Sequence, residues 1–177
     1  MTFTLAIDTS TSRTCVGIIE DSQLLWSGFK DGATAHGPAL PALVQEAIKG
    51  RRIDEVVVGM GPGPFTGLRI GIAFAQSFAL AREIPVRGIC SLDAIAAQVN
   101  DKDFIVTVDA RRKEVYWARY IDGVRKGEPA VNFPIDVSGA EIYSNLYPHL
   151  LSMVALTGDI TEPIYLRHPD AVATADR

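Results

Sequence analysis

The residues best suited to chemistry in this sequence are two aspartates that each close an apolar run. Asp8 ends Leu5-Ala6-Ile7-Asp8, and Asp109 ends Phe104-Ile105-Val106-Thr107-Val108-Asp109. Carboxylates at strand ends can hold a metal ion or a phosphate-bound water. The hydroxyls of Thr9, Ser10, Thr11 and Ser12, which follow Asp8, can donate to phosphate oxygens. Asp8, Thr9, Ser10 and Asp109 therefore form a candidate remnant phosphate-binding set. The competing reading is local, because strand-end Asp and the Ser/Thr that follow it commonly close Asx and ST turns. The basic run Arg111-Arg112-Lys113 reads as a solvated hairpin tip, with a contact to RNA or to an acidic partner as the sharper alternative.

Other constellations fall away on spacing. His36, His149 and His168 are too far apart for a helical metal pair, and none stands at ligand spacing from a Cys or a carboxylate, so no metal is expected. Ser10, Ser12 and Ser91 lack the context of a nucleophile elbow. Cys15 and Cys90 sit among apolar neighbours and read as buried free thiols. The segment Gly61-Pro62-Gly63-Pro64-Phe65-Thr66-Gly67 has neither Walker A spacing nor a Lys after its glycines, and Pro62 and Pro64 carry no N–H for a phosphate. It reads as a rigid turn that aims the next helix, with Thr66 as a cap. No cofactor is expected.

That helix is the other informative feature. Over residues 66–82, Gly67, Gly71, Ala75 and Ala79 recur every fourth position and make a stripe of small side chains. Gly71 in a helix interior costs about 1 kcal/mol against Ala, so close approach of another backbone is expected to offset it. Leu68 and Ile72 run beside the stripe, and Ile70, Phe74 and Phe78 flank it on the other side. A helix apolar over most of its circumference needs cover on more than one side. Its own sheet supplies one cover; the other comes either from the rest of the domain or, as is expected in so small a chain, from a partner helix. Gly67, Leu68, Gly71, Ile72, Ala75, Phe78 and Ala79 are the expected docking residues, for a different subunit or for a second copy of the chain.

The elements that must position these residues follow a repeated pattern. Strands are expected over residues 4–7, 14–20 and 23–29 as an antiparallel meander, then a helix opened by Gly37-Pro38 and stopped by Gly50. Val56-Val57-Val58 reads as a strand buried on both faces. A short strand over 84–89 and a short helix over 93–99 complete the first half. After the polar turn Asn100-Asp101-Lys102-Asp103 the pattern restarts with a strand ending in Asp109 and a second hairpin strand at Val115-Tyr116-Trp117-Ala118-Arg119-Tyr120, which suggests a structural duplication. A helix over 139–150, a strand over 153–156 and an extended tail at Pro163-Ile164-Tyr165-Leu166-Arg167 are expected in the second half. The fold class is α/β layers with mixed sheets, divided into an N-terminal unit over 1–100 and a shorter C-terminal unit over 101–177.

Composition narrows the function classes. A chain of 177 residues, 47% hydrophobic and 21% charged, suits one soluble domain or two small subdomains sharing a core. The 17 basic and 21 acidic residues give a formal net charge of −4, without the basic excess expected of a protein that binds nucleic acid through its own surface. No stretch is apolar for long enough to span a bilayer. The N-terminus has no basic region and meets Asp8 at once, so no signal peptide and a cytoplasmic location are expected.

Four segments carry a family resemblance. Leu5-Ala6-Ile7-Asp8-Thr9-Ser10-Thr11, the run from Gly61 through Gly67 with Leu68-Arg69-Ile70-Gly71, Val108-Asp109-Ala110-Arg111-Arg112-Lys113-Glu114-Val115-Tyr116 and Tyr165-Leu166-Arg167 resemble the TsaB (YeaZ) family. The resemblance implies an ASKHA fold (actin-like ATPase, ribonuclease H-like) of two subdomains, here with the second one reduced. It implies a scaffold paralogue of TsaD, the catalytic subunit that installs threonylcarbamoyl on adenosine 37 of tRNAs reading codons that start with A. The catalytic paralogue carries an H-x-x-x-H metal motif where this sequence has Ser91 and Ile95, and isoleucine cannot ligate a metal. The implied partners are a TsaD-like subunit docked through the N-terminal helices and a TsaE-like ATPase near that junction, with tRNA met only through the complex. A different class is a small ASKHA phosphotransferase that would use Asp8 and Asp109 around MgATP. A metal-dependent hydrolase and a self-sufficient tRNA-binding module are weaker still.

Overall fold

The computed structural model describes residues 1–167. His168 and the rest of the segment to 177 lie outside the described residues.

The first sheet is built on β1 (Phe3–Asp8), whose Leu5, Ala6 and Ile7 are fully buried. A turn through Thr9–Ser12 leads to β2 (Arg13–Glu20), and β3 (Gln23–Asp31) completes the expected antiparallel meander. α1 (His36–Ile48) crosses over to β4 (Glu55–Gly59), which runs parallel to β1 with Ile7 opposite Val58. α2 (Phe65–Arg82) crosses again to β5 (Val86–Ile89), giving the order β3-β2-β1-β4-β5. The unbroken Val56-Val57-Val58 run has its cause here, since both faces of the sheet are covered. Leu5, Ile7, Val56 and Val58 pack with residues of α1 and α2. Ala6 and Val57, on the alternate face, pack with Ala94 of α3 (Ser91–Ala96) and with Leu150 and Met153 of α4 (Leu150–Ala155).

The second sheet contains β6 (Asp103–Asp109), β7 (Val115–Ile121), β8 (Val124–Asn132) and β9 (Glu141–Tyr143), in the order β8-β7-β6-β9. Two antiparallel pairings and one parallel pairing repeat the arrangement of β3-β2-β1-β4 strand for strand. The duplication suggested by the two Asp-ended strands is thus visible in the topology. Phe104, Val106 and Tyr120 form the centre of this half's core together with Leu92 and Ile95 of α3.

Two elements differ from the expectation. Residues 139–150 do not form a helix, although Ile142, Leu146 and Leu150 have helical spacing. Gly139 at φ +103° and Asn145 at φ +60° bend the backbone out of the helical region, and Pro148 interrupts it again. The open side of β6 takes up Glu141–Tyr143 as a parallel strand, and Tyr143 meets the Phe104 ring edge-on. The strand expected over 153–156 is instead the end of α4, because Met153 must reach the face of Ala6 and Val57. Smaller shifts are ordinary boundary differences: α3 spans Ser91–Ala96, where a helix over 93–99 was expected.

The tail does lie extended against the body. The Ile160 N–H donates to Gly88 O (2.8 Å), the Gly88 N–H donates to Asp159 Oδ1 (3.0 Å), and the Ile164 N–H donates to Met60 O (2.8 Å). Arg87 anchors the start of this strap, donating to Leu156 O (2.6 Å) and Val154 O (3.0 Å) and pairing with Glu55 (3.2 Å). We expect Arg87→Ala to lose about 2 kcal/mol, from two carbonyls stripped of a charged donor. Limited proteolysis should then cut the strap well before global unfolding, and unchanged protease resistance would show that Arg87 is not the anchor.

Candidate functional site

Three of the expected site residues, Asp8, Thr9 and Ser10, lie together at the turn from β1 to β2. Asp8 is fully buried. Its Oδ1 accepts from the Ser10 N–H (2.8 Å) and the Ser10 hydroxyl (2.7 Å), while Oδ2 accepts from the Ser91 hydroxyl (2.6 Å). The Ser91 oxygen in turn lies 3.3 Å from the Gly61 N–H, which donates to it. Burial pushes the Asp8 carboxyl above its ordinary range, and the three hydrogen bonds, Ser91's first, partly offset this. Asp8 therefore ties three segments distant in sequence, the end of β1, the Gly/Pro loop and the start of α3, in one closed network.

Thr9 and Ser10 are committed in the same way. The Thr9 hydroxyl donates to Gly67 O (2.7 Å) and accepts from the Gly71 N–H (3.1 Å). A Cβ on Gly71 would fall inside contact distance of Thr9 Oγ1, and one on Gly63 would meet the backbone of Ser10. Both glycines are thus required by close approach of the β1–β2 turn to the loop and to α2. Asp109, by contrast, is exposed, and its Oδ1 accepts from the Arg111 N–H (2.9 Å) in an Asx turn. The two strand-end aspartates share a topological position and have different surroundings.

The small-residue stripe of α2 has found its cover within the chain. Gly67, Leu68, Gly71, Ile72, Ala75, Phe78 and Ala79 are all buried in the single protomer. Thr9 fills this space, its carbonyl oxygen against Gly67 and its side chain against Gly71, with the His36 ring beside Gly67. This replaces the partner helix expected there, for the physical reason that Thr9 already occupies the space a second chain would need. What α2 leaves outside is a different strip: Ala73, Ser77, Leu80 and Ala81 are exposed, and Ile70 and Phe74 are half-buried beside them. Leu80 is 81% exposed. Thr66 lies within the helix, and Pro64 holds the cap position without a side-chain bond.

His36 is buried against Thr14, with 2.8 Å between Nδ1 and Oγ1, and desolvation lowers its pKa. Cys15 and Cys90 are buried free thiols, as expected, and burial raises both, Cys90 to about 12. Among the described residues no group of three or more His, Cys, Asp or Glu is placed to hold a metal ion, and no helix is long and apolar enough to cross a membrane. Ser91 is the partner that sequence reading missed. It stands 83 residues from Asp8, and no local pattern connects them.

Comparisons with known proteins agree with this architecture. The family profile described as "TsaD: tRNA N6-adenosine threonylcarbamoyltransferase" matches residues 32–144. An uncharacterized protein of Mycobacterium tuberculosis is 41% identical, the alignment covering 94% of this chain and 92% of that one. The tRNA threonylcarbamoyladenosine biosynthesis protein TsaB of Escherichia coli is 34% identical over 66% of this chain, and the match spans 54% of that protein, about half its length. Among solved structures, YeaZ from Pseudomonas aeruginosa superposes with a TM-score of 0.74 at 25% identity, covering 88% of this chain and 90% of that one. The ethanolamine utilization protein EutJ from Carboxydothermus hydrogenoformans, at 10% identity and a TM-score of 0.52, covers 75% of this chain and 52% of its own, and it shares the fold alone.

Proposed function

Since the chain belongs to the TsaB (YeaZ) family and has the ASKHA fold, we propose that it serves the biosynthesis of threonylcarbamoyladenosine in tRNA as a cytoplasmic, non-catalytic scaffold that docks a TsaD-like subunit. The observation that carries the non-catalytic reading is the use made of its polar residues. Asp8, Thr9 and Ser10 are consumed by hydrogen bonds inside the protein. Ser91 is bound to Asp8, and Ile95, one turn on, is fully buried in the core of the second half. A group that must engage a substrate needs an unsatisfied valence facing it, and the hydrogen bonds of this cluster close on one another.

Docking needs an exposed apolar strip on a rigid element, and the outward face of α2 supplies one. Ile70, Ala73, Phe74, Ser77, Leu80 and Ala81 follow helical spacing along one line. The docking contact therefore lies on this face of α2, beside the buried stripe of Gly67, Gly71, Ala75 and Ala79. A TsaE-like ATPase is placed near the same junction, and tRNA is met through the assembled complex.

Co-purification from the native host tests the reading. Leu80→Glu is expected to weaken recovery of a TsaD-like subunit by about tenfold or more, because a buried unpaired carboxylate costs several kcal/mol at an interface. The fold should be unaffected, since Leu80 touches little of its own chain. Recovery of the partner in wild-type yield with Leu80→Glu would remove α2's outer face from the interface. Isolation of a homodimer alone would remove the scaffold reading for this chain.

A further inference from the structure

A cavity of about 530 Å³ opens between the end of α3, the hairpin of β7 and β8, and Leu156 beyond α4. The β1–β2 turn, the β6–β7 turn and α2 contribute nothing to its walls, so it is separate from the Asp8 network and from the exposed face of α2. Tyr120 and Arg125 stand opposite each other in the register of β7 and β8, so both side chains leave the sheet on one face. Asp93 of α3 meets them there. The Tyr120 hydroxyl donates to Asp93 Oδ1 (2.7 Å), and Arg125 Nε lies 3.1 Å from the same oxygen.

This polar cluster leaves hydrogen-bonding capacity unused. Arg125 Nη1 is buried and has no hydrogen-bond partner. Buried donors in native proteins are almost always paired, so an orphan beside a cavity asks for an acceptor. Glu128 Oε2 is 3.8 Å from Nη1, beyond bonding distance, on a side chain that is 95% exposed. Asp93 has capacity left as well. Both of its contacts fall on Oδ1, and it is a quarter exposed at the cavity, so Oδ2 keeps an acceptor to offer. Burial, and then the Asp93 charge, push the Tyr120 phenol far up, so it remains a donor and keeps Oδ1 occupied.

The rest of the lining is apolar or bare. Ala97, Val124 and Leu156 supply apolar surface, and a Cβ on Gly123 or Gly127 would meet nothing within 4 Å. The β7–β8 register shifts between Trp117 and Arg119, so Gly127, Glu128 and Pro129 stand against Ala118 alone. Such bulges re-aim a strand's side chains, and this one carries Glu128 into solvent.

We propose that this cavity binds a small planar carboxamide. The amide carbonyl accepts from the Arg125 guanidinium, and the amide N–H donates to Asp93 Oδ2, so one flat group meets both open positions. Glu128 withdraws into solvent as the carbonyl arrives. Charge selects against the corresponding acid. Asp93 already balances Arg125, and Glu128 adds a second negative charge, so a carboxylate is repelled where a neutral amide is not. The volume lies within the range of small-ligand sites, and the apolar lining suits a ring attached to the amide.

Titration calorimetry on the full chain tests this with nicotinamide, benzamide, benzoate and acetophenone. The last three share one ring and present an amide, an acid, or a carbonyl without an N–H. Nicotinamide and benzamide are expected to bind, benzoate to be silent, and acetophenone to bind about tenfold or more weakly than benzamide. Arg125→Met should unfold near the wild-type temperature, because Asp93 keeps the Tyr120 hydroxyl, and should weaken benzamide binding by about tenfold or more. Should that variant fail to fold, Arg125→Lys keeps the charge beside Asp93, lacks the guanidinium fork, and carries the same expectation. Silence of both amides, benzoate or acetophenone binding as tightly as benzamide, or a folded Arg125 variant with wild-type affinity would each overturn the proposal.

Discussion

Gly71→Val should lose about 3 kcal/mol of stability or more, although it replaces the poorest ordinary helix former in the middle of an 18-residue helix. Propensity alone favours the substitution by a few tenths of a kcal/mol. Packing reverses the sign. The new Cβ would enter the space of Thr9 Oγ1, which cannot swing away without giving up both the Gly67 carbonyl and the Gly71 N–H. Urea unfolding midpoints measure the loss. Ala73→Val, on the exposed face of the same helix, should stay within about 0.5 kcal/mol of wild type and separates helix propensity from packing. A double-mutant cycle identifies the contact. Thr9→Ala and Gly71→Ala should each destabilise, yet their combination should cost less than their sum, because removing the hydroxyl makes room for the methyl. Strict additivity would mean that Thr9 is not what confines Gly71.

The second large effect belongs to Asp8. Asp8→Ala leaves the Ser10 N–H and the hydroxyls of Ser10 and Ser91 without their acceptor in a fully buried place, for a loss of about 3 kcal/mol. Asp8→Asn keeps the shape and one acceptor oxygen, and should cost less. The pH dependence has an unusual sign. An ordinary ion-paired carboxylate stabilises more as pH rises, but burial has raised Asp8 above its ordinary 3.8. The folded state therefore holds this proton more tightly than the unfolded state does. Its contribution is full below 3.8 and declines as pH climbs through the raised folded value. Asp31 and Asp103, lowered by hydrogen bonds from Arg13 and Arg119, act in the opposite direction. The difference between wild type and Asp8→Asn isolates Asp8, and parallel stability curves for the two across the acid range would refute the assignment.

The first half of the chain could be read closely from its sequence because its signals are local. Val56-Val57-Val58 names a doubly covered strand, the meander follows from short turns, and α2 shows its apolar stripe at helical spacing. The second half was harder to read where a partner strand decided the outcome. Ile142 and Tyr143 favour a strand, but a three-residue run is too short to announce one, and pairing with β6 decided it. At the turn around Asp8, the residues were visible but their purpose was not. Thr9 and Asp8 looked like ligand groups because their partners, Gly71 and Ser91, lie 62 and 83 residues away. The stripe on α2 signalled close approach correctly, and it could not say whether the approaching backbone belonged to another molecule.

The strap has a consequence for synthesis. β5 is the outer strand of the first sheet, and its free side is occupied at Gly88 by Asp159 and Ile160, about seventy residues later in the chain. A ribosome thus delivers all five strands of that sheet long before the segment that seals its border. During that interval, the nascent protein presents an unpaired β-strand to whatever lies near it. Occupancy by a chaperone at this stage, and sensitivity of the yield to translation speed over the interval between β5 and the strap, are the marks this order of events should leave in a cell.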